Sequence, residues 1–427
     1  MTDINQSSRG ALDGVKVIEF SHMVMGPACG MVLADLGADV VKVEPAPQGD
    51  NTRRLTGVGV GFYATYNRNK RSICLDLKSP DGLAVAREMV AGADVVIENF
   101  RPGAMDRLGL GYEAIAATNP GIVYCACKGF LPGPYEHRAA LDEVVQMMSG
   151  LAYMTGTADR PLRAGASVND VLGGVFGVVA ILAALRDRER SGRGSLVQVG
   201  LFETNMLLMG QHMAHAAVTG RDLAPFGDPA STRPWPLYDV FQTVDPQESV
   251  FVGAVTITQW RDFAREFGLD DLLADPSLAT IPQLAAQRPR ILARVRALLA
   301  TMTKAELMAR FDRLGLPFAP IARPSDLFDD PHLLASNGLL DIDLSTSEGA
   351  GGAHARERAG IPGLPLIFGN DRPRLVRQPP QSGEHSRQIA REAGLTEAQI
   401  AALIAAGVLI DHDLAAEPED GRRSRHG

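Results

Sequence analysis

Four cysteines in 427 residues are too few to staple a fold. Cys29, Cys74, Cys125 and Cys127 form no CxxC pair of the kind that holds zinc or does redox work. Cys125 and Cys127 alternate along a predicted strand, which points to buried thiols. Positive charge is not in excess. The 42 Lys and Arg against 50 Asp and Glu leave a net charge of −8, which excludes a general nucleic-acid surface but leaves room for local basic pockets. The opening MTDINQSSRGALDG has no apolar core, so no signal peptide is expected. No run reads as long and apolar enough to cross a membrane. Catalytic signatures are absent too: no GxGxxG follows the first predicted strand, and there is no Walker phosphate loop, GxSxG elbow or HExxH. What is present, 45% hydrophobic and 22% charged residues, is ordinary for a globular chain that buries a large core, and the length suggests two or three domains. A cytosolic enzyme is the default expectation.

The stretch that organises the chain is RAGASVNDVLGGVFGVVAILAALRDRERSGRG, residues 163–194. Asp170 precedes an unbroken small-and-apolar run, Val171 to Leu185, which predicts a buried helix over 171–187 stopped by Gly192. Asp170 then stands at the N-cap, where unpaired backbone N–H groups and the positive end of the helix dipole favour its ionised form. A cap is the plain reading of such an Asp. A catalytic carboxylate at a helix mouth is the sharper one.

In chain order, Val15–Phe20 reads as a strand, Ala28–Leu36 as a helix with Pro27 at its first position and Gly37 at its end, and Ala38–Glu44 as a second strand. That βαβ unit implies a parallel sheet in an α/β domain. GADVVKVE at 37–44 recurs as GADVVIEN at 92–99, two turns of one winding pattern. Further strands are expected at 72–77, 121–126 and 195–200, and helices at 82–91, 142–148 and 201–218. The last is Met-rich, and Met206, Met209 and Met213 are expected in the core. From about residue 225 to 330 the pattern becomes that of a smaller α+β domain, before the chain returns to the large one at 331–412. Residues 1–11 and 345–362 are expected to be loose, and 413–427 a flexible tail. Arg53, Arg54, Arg68, Lys70, Arg71, Arg101 and Arg107 crowd the predicted strand ends, where open α/β sheets bind ligands, and read as an anion site for a phosphorylated ligand.

LDGVKVIEFSHMVMGPACGMVLADLGADVVKVE, NRNKRSICLDLKSPDG, ADVVIENFRPGAMDRLGLGY and GASVNDVLGG, with VQVGLFE, PLYDVFQTVD and PPQSGEHSRQI further on, resemble the class III CoA-transferase family in order along nearly the whole chain. The resemblance implies a Rossmann-like large domain, a smaller domain and an interlocked homodimer. It implies that Asp170 is the catalytic aspartate and that His22, Met23, Val24 and Met25 line the CoA site beside the thioester. It places Asn67, Lys70 and Arg71 near the CoA adenine and phosphates, and Asn99, Phe100, Ala104 and Arg107 at further CoA contacts. Asp142 matches an acidic position near the nucleophile. No metal and no tightly bound cofactor are implied; acyl-CoA and a carboxylic acid are the substrates, with no nucleic-acid or membrane partner. Three departures from formyl-CoA transferase stand out: Pro45 and Ala139 replace basic residues, and Gly227-Asp-Pro-Ala-Ser231 stands where a glycine run is expected.

The implied chemistry is transfer of CoA through an aspartyl anhydride and an aspartyl-CoA thioester. Backbone N–H groups of Val24, Met25 or the Gly173-Gly174 pair would steady the oxyanion. An acyl-CoA racemase of the same fold is the alternative, but it wants a His just before Asp142, where Leu141 stands, with His137 four residues too early. A non-catalytic acyl-CoA-binding protein would fit if Asp170 were only a cap. Arg163, Arg233 and His22 could pair a second carboxylate, so a dicarboxylic acyl group such as succinyl is expected.

Overall fold

The computed structural model describes residues 10–228, 235–347 and 356–415. The readings made for residues 1–9, 229–234 (Arg233 included), 348–355 and 416–427 lie outside the described residues. Within them, Leu223–Asp330 form one compact unit and the rest of the described chain forms the other.

The larger unit starts with six strands: β1 (Lys16–Phe20), β2 (Asp39–Pro45), β3 (Arg71–Leu75), β4 (Val95–Glu98), β5 (Val123–Lys128) and β6 (Ser195–Gly200). The smaller unit holds β7 (Leu237–Gln242), β8 (Ser249–Ala254) and β9 (Phe318–Pro320) in one antiparallel sheet, order 7-8-9. Its helices pack Trp260, Phe263, Leu292, Val295 and Phe311 into a core of its own. The chain then adds the hairpin β10 (Leu339–Asp343) and β11 (Arg358–Pro362), and finally β12 (Leu409–Ile410). β11 falls inside a span expected to be loose. Arg358–Pro362 pairs antiparallel with Leu339–Asp343 along its whole length, and Arg358 pairs with Asp341, so the segment is held as a strand. The helix at His412–Ala415 likewise shortens the expected tail.

The central sheet runs 12-3-2-1-4-5-6, parallel except for β12. Order 3-2-1-4-5-6 is that of a doubly wound sheet, whose strand order reverses between β1 and β4. Buried on both faces, the inner strands read as near-continuous apolar runs, DVVKVEP and VYCACK among them, while the edge strand β6 is exposed along one face. Ile18, Val41, Ile73 and Val96 face one core with the helices Pro80–Ala91, Ser386–Glu392 and Glu397–Ala405. Val17, Val40, Val95 and Ile97 face the other, with the helices Met25–Asp35 and Val168–Ser191. Loops after β1 and β4 therefore meet at the reversal point, where ligands of open α/β sheets sit.

The helix Val168–Ser191 is longer than the expected 171–187. Its 24 residues are, by length and composition, enough to cross a membrane, contrary to the sequence reading. Its packing explains the apolar run: it lies on the Met25 helix and on β5 and β6. Gly173, Gly174 and Gly177 permit that approach. A Cβ on Gly174 would lie 2.8 Å from the Met25 carbonyl oxygen, and one on Gly177 2.9 Å from Cys29 Sγ. Gly192 closes the helix in the left-handed conformation, φ +70°, its N–H on the Arg188 carbonyl at 2.8 Å. In the next helix, Leu201–Thr219, Met209 is buried as expected, but Met213 is exposed.

Candidate active site

Asp170 occupies the third position of its helix, not the N-cap. Ser167 holds the cap position and makes no side-chain capping bond. The cap comes from another helix, Asp142–Met148. Asp142 Oδ2 accepts the backbone N–H of Asn169 at 2.8 Å and of Asp170 at 3.1 Å. Gln146 donates its Nε2–H to Asp142 Oδ1 and accepts the Ala164 N–H at 2.8 Å. Asp142 is thus buried and spent on the helix terminus.

This arrangement changes the charge state expected for Asp170. Its half-buried carboxyl has a pKa pushed up to about 7, first by loss of solvent, then by the Asp142 carboxylate and by Glu143. The helix end does not dominate, because its N–H groups are already taken by Asp142. Arg163 pairs with Glu143. Tyr66 is also near: burial, and then the Asp170 charge, raise its hydroxyl pKa.

The loop after β1 leads to this corner. Met25, buried, opens its helix against Gly173 and Gly174; a Cβ on Gly173 would lie 2.7 Å from the Met25 methyl. No side chain caps that helix. Val24 is buried as well, Met23 half-buried, and His22 exposed. Asn99, after β4, clamps His22: its Oδ1 accepts the His22 N–H at 3.1 Å and its Nδ2–H donates to the His22 carbonyl at 2.8 Å. The His22 ring stacks on Phe100 at 5.7 Å between centroids.

His22, Met23 and Phe100 border a cavity of about 350 Å³ at the carboxyl ends of β1, β2 and β3. Val43, Pro45, Thr52, Leu75, Leu77 and Lys78 help line it. Ala104 and Arg107 stand on a short helix after Phe100, Arg107 exposed, and neither lines the cavity.

Three of the residues expected at ligand contacts have their side chains engaged inside the fold. Lys70 is fully buried, ion-paired to Glu19 at 2.7 Å and donating to the Asn67 side-chain oxygen and the Pro27 carbonyl. Asn67, also fully buried, donates to the Tyr63 carbonyl. Arg71 spends its guanidinium on Asp39 and Glu392. The same holds for Arg53 on Glu44 and Arg68 on Asp35, so the basic cluster is largely internal and Arg101 and Arg107 are its exposed members. Lys78, not singled out in the sequence, is the exposed cation of the cavity wall. Its place directly after a strand end, within NRNKRSICLDLKSPDG, was the available signal. Among the described residues, no group of three or more His, Cys, Asp or Glu is placed to hold a metal.

A carboxyl with its pKa pushed up to about 7 in the first turn of a helix, and a cavity lined by His22 and Met23 though not by Asp170 itself, are the two features here that acyl transfer could use. Comparison with known proteins agrees. Residues 12–386 match the family described as CoA-transferase family III, and the chain belongs to it. It is 33% identical over 410 residues to a succinate–glutarate CoA-transferase of Agrobacterium fabrum, covering 92% of this chain and 98% of that one. It is 32% identical over 419 residues to a formyl-CoA:oxalate CoA-transferase of Streptomyces avermitilis, covering 93% and 99%. A CaiB/BaiF family protein from Brucella suis superimposes with a TM-score of 0.78 at 30% identity, over 90% of this chain and all of that one. The protein is therefore an enzyme of the CoA-transferase class.

Proposed function

We propose that the enzyme moves CoA between an acyl-CoA thioester and a free carboxylic acid through covalent intermediates on Asp170. An Asp170 oxygen attacks the thioester carbonyl; a C–O bond forms, the C–S bond breaks and CoA leaves as thiolate. The thiolate attacks the Asp170 carbonyl of the anhydride, releasing the donor acid as carboxylate and leaving an aspartyl-CoA thioester. The acceptor carboxylate repeats the exchange in reverse and Asp170 is regenerated. Splitting the transfer this way is covalent catalysis. The observation that carries the reading is the Asp170 carboxyl, titrating near neutrality on a helix whose next turn packs on Met25. A carboxylate so poorly stabilised is a better nucleophile than a solvated one, and the uncapped start of the Met25 helix supplies N–H groups for the oxyanion.

His22, Met23 and Phe100 would hold the nucleotide end of CoA in the cavity, with Lys78 on its phosphates. The named substrates of the relatives support short dicarboxylic acyl groups such as succinyl. Arg163 is engaged by Glu143, so a second carboxylate would have to compete for it. An apolar stripe along the Asp170 helix, with Val171, Val175, Val179 and Leu182 exposed, and exposed Leu207 and Met213 on the next helix, support a homodimer. Four buried free thiols support a cytoplasmic setting. The racemase reading is not favoured: Leu141 stands where its base is needed.

The test is incubation with succinyl-CoA and a panel of acids, followed by hydroxylamine trapping and peptide mass spectrometry. The expected adduct is on Asp170, and Asp170→Ala is expected to lose transfer by at least ~10³-fold. Full transfer by Asp170→Ala would overturn the mechanism.

A further inference from the structure

Beneath the loop that carries His22 to Met25 lies a set of fully buried charges that the transfer steps do not use. Lys42 Nζ donates to the Ser21 carbonyl at 2.7 Å and pairs with Asp50 Oδ2 at 3.0 Å. Asp50 Oδ1 accepts both the Thr52 hydroxyl, at 2.7 Å, and the Thr52 N–H, at 2.8 Å. Thr52 Oγ1 in turn accepts the Met23 N–H at 2.9 Å. A hydroxyl has one proton. Asp50 takes it, so the Thr52 oxygen is left to face Met23 as an acceptor only.

Met23 is where an acceptor matters. Its φ is +62°, a left-handed conformation that a residue with a side chain adopts only when its surroundings impose it. The next residues, Val24 and Met25, open the helix that packs on Gly173 and Gly174, one turn from Asp170. Asn99 fixes the His22 peptide from the other side, so the backbone from Ser21 to Met23 is held at each residue. Lys42 stays charged in its burial because Asp50, Glu19 and Glu44 surround it, and Asp50 stays ionised chiefly against the cost of its own burial because Lys42 is beside it.

We propose that Thr52 is a positioning residue for the transfer reaction: oriented by Asp50 and Lys42, its hydroxyl locks the left-handed turn at Met23 and thereby aims the start of the Met25 helix at the acyl group on Asp170. The inference rests on the covalent reading above. Valine at 52 keeps the shape and removes the acceptor, so the Met23 N–H loses its partner and the turn relaxes toward negative φ. Serine keeps the acceptor. Glycine at 23 takes the left-handed turn without strain.

The experiment compares wild type, T52V, T52S and the double variant M23G/T52V by the single-turnover rate of Asp170 acylation from succinyl-CoA. At saturating succinyl-CoA, T52V is expected to acylate at least 10-fold more slowly, T52S to stay within about 3-fold of wild type, and the double variant to recover at least 5-fold over T52V. A T52V rate equal to wild type overturns the proposal, as does a double variant no faster than T52V. If T52V does not fold, the double variant is expected to fold and to acylate within 10-fold of wild type; failure to do so overturns it as well. A wild type that forms no adduct overturns the covalent reading itself, and this inference with it.

Discussion

Asp142 Oδ2 lies 3.1 Å from the backbone nitrogen of Asp170, so the two carboxylates share one helix terminus. One is satisfied there and the other is not. Loss of solvent, then Asp142, then Glu143 raise the Asp170 pKa to about 7. Attack on a thioester needs the ionised form, so the rate of adduct formation is expected to rise with pH to a plateau above about 7. Asp142→Asn keeps an oxygen for the N–H groups but removes the charge. Its acidic limb is expected to move to lower pH in single-turnover profiles. A limb that stays in place would show that Asp142 does not set the charge on Asp170.

The same shift makes Asp170 a cost to folding. Its ordinary value is 3.8, and between there and about 7 the folded chain binds more protons than the unfolded one. Stability therefore falls as pH rises through that window and does not return above it. Asp170→Asn is expected to be inactive yet more stable at pH 8, by roughly 1–2 kcal/mol after allowing for its partial exposure. At pH 4 the two proteins should match. Urea midpoints at both pH values check this; equal midpoints at pH 8 would mean that the carboxylate is not strained.

Much of the sheet was legible in the sequence, because parallel strands buried on both faces must be apolar throughout and Gly ends the helices between them. The pair β10 and β11, and β12 at the sheet edge, were not: five and two residues in length, with little alternation, they are defined by their partners. That Asp170 stands at the start of its helix was legible; that Ser167 and not Asp170 holds the cap position, and the charge state of Asp170, were not. The charge state depends on Asp142, 28 residues away, occupying the helix end first. For Lys70 and Arg71, charge pointed to a ligand. Their carboxylate partners Glu19, Asp39 and Glu392 come from β1, β2 and a helix near the other end of the chain, and spacing cannot reveal such pairings.

Gly174 tests the contact between the two helices at the site. A methyl there would sit 2.8 Å from the Met25 carbonyl oxygen and 3.0 Å from both Ala28 Cβ and Cys29 N. Two of those three atoms are backbone, so a helix must move. Gly174→Ala gains helix propensity worth about 1 kcal/mol. Overpacking is expected to outweigh that gain, with a net loss of about 1–2 kcal/mol in denaturant titrations. Transfer should fall with it, since the Asp170 turn is displaced from Met25. A more stable Gly174→Ala would mean the helices are not in close contact.

Two lysines separate the structural role from the ligand role. Lys70 neutralises Glu19 where neither side chain reaches solvent. Lys70→Met leaves that carboxylate with only the Ser21 hydroxyl and a more distant Lys42, at 3.5 Å. A broken buried pair of this kind is expected to cost about 3–5 kcal/mol, read as a lower urea midpoint. Lys78 is exposed at the cavity mouth, and Lys78→Ala should leave that midpoint unchanged. Its effect belongs to binding: KM for acyl-CoA is expected to rise about 3–10-fold at low salt with kcat unaltered, because the charge would act equally on ground and transition states. The difference should shrink as ionic strength rises and screening shortens the reach of the ammonium. An unchanged KM at low salt would put the CoA phosphates away from Lys78, and with them the nucleotide end outside this cavity.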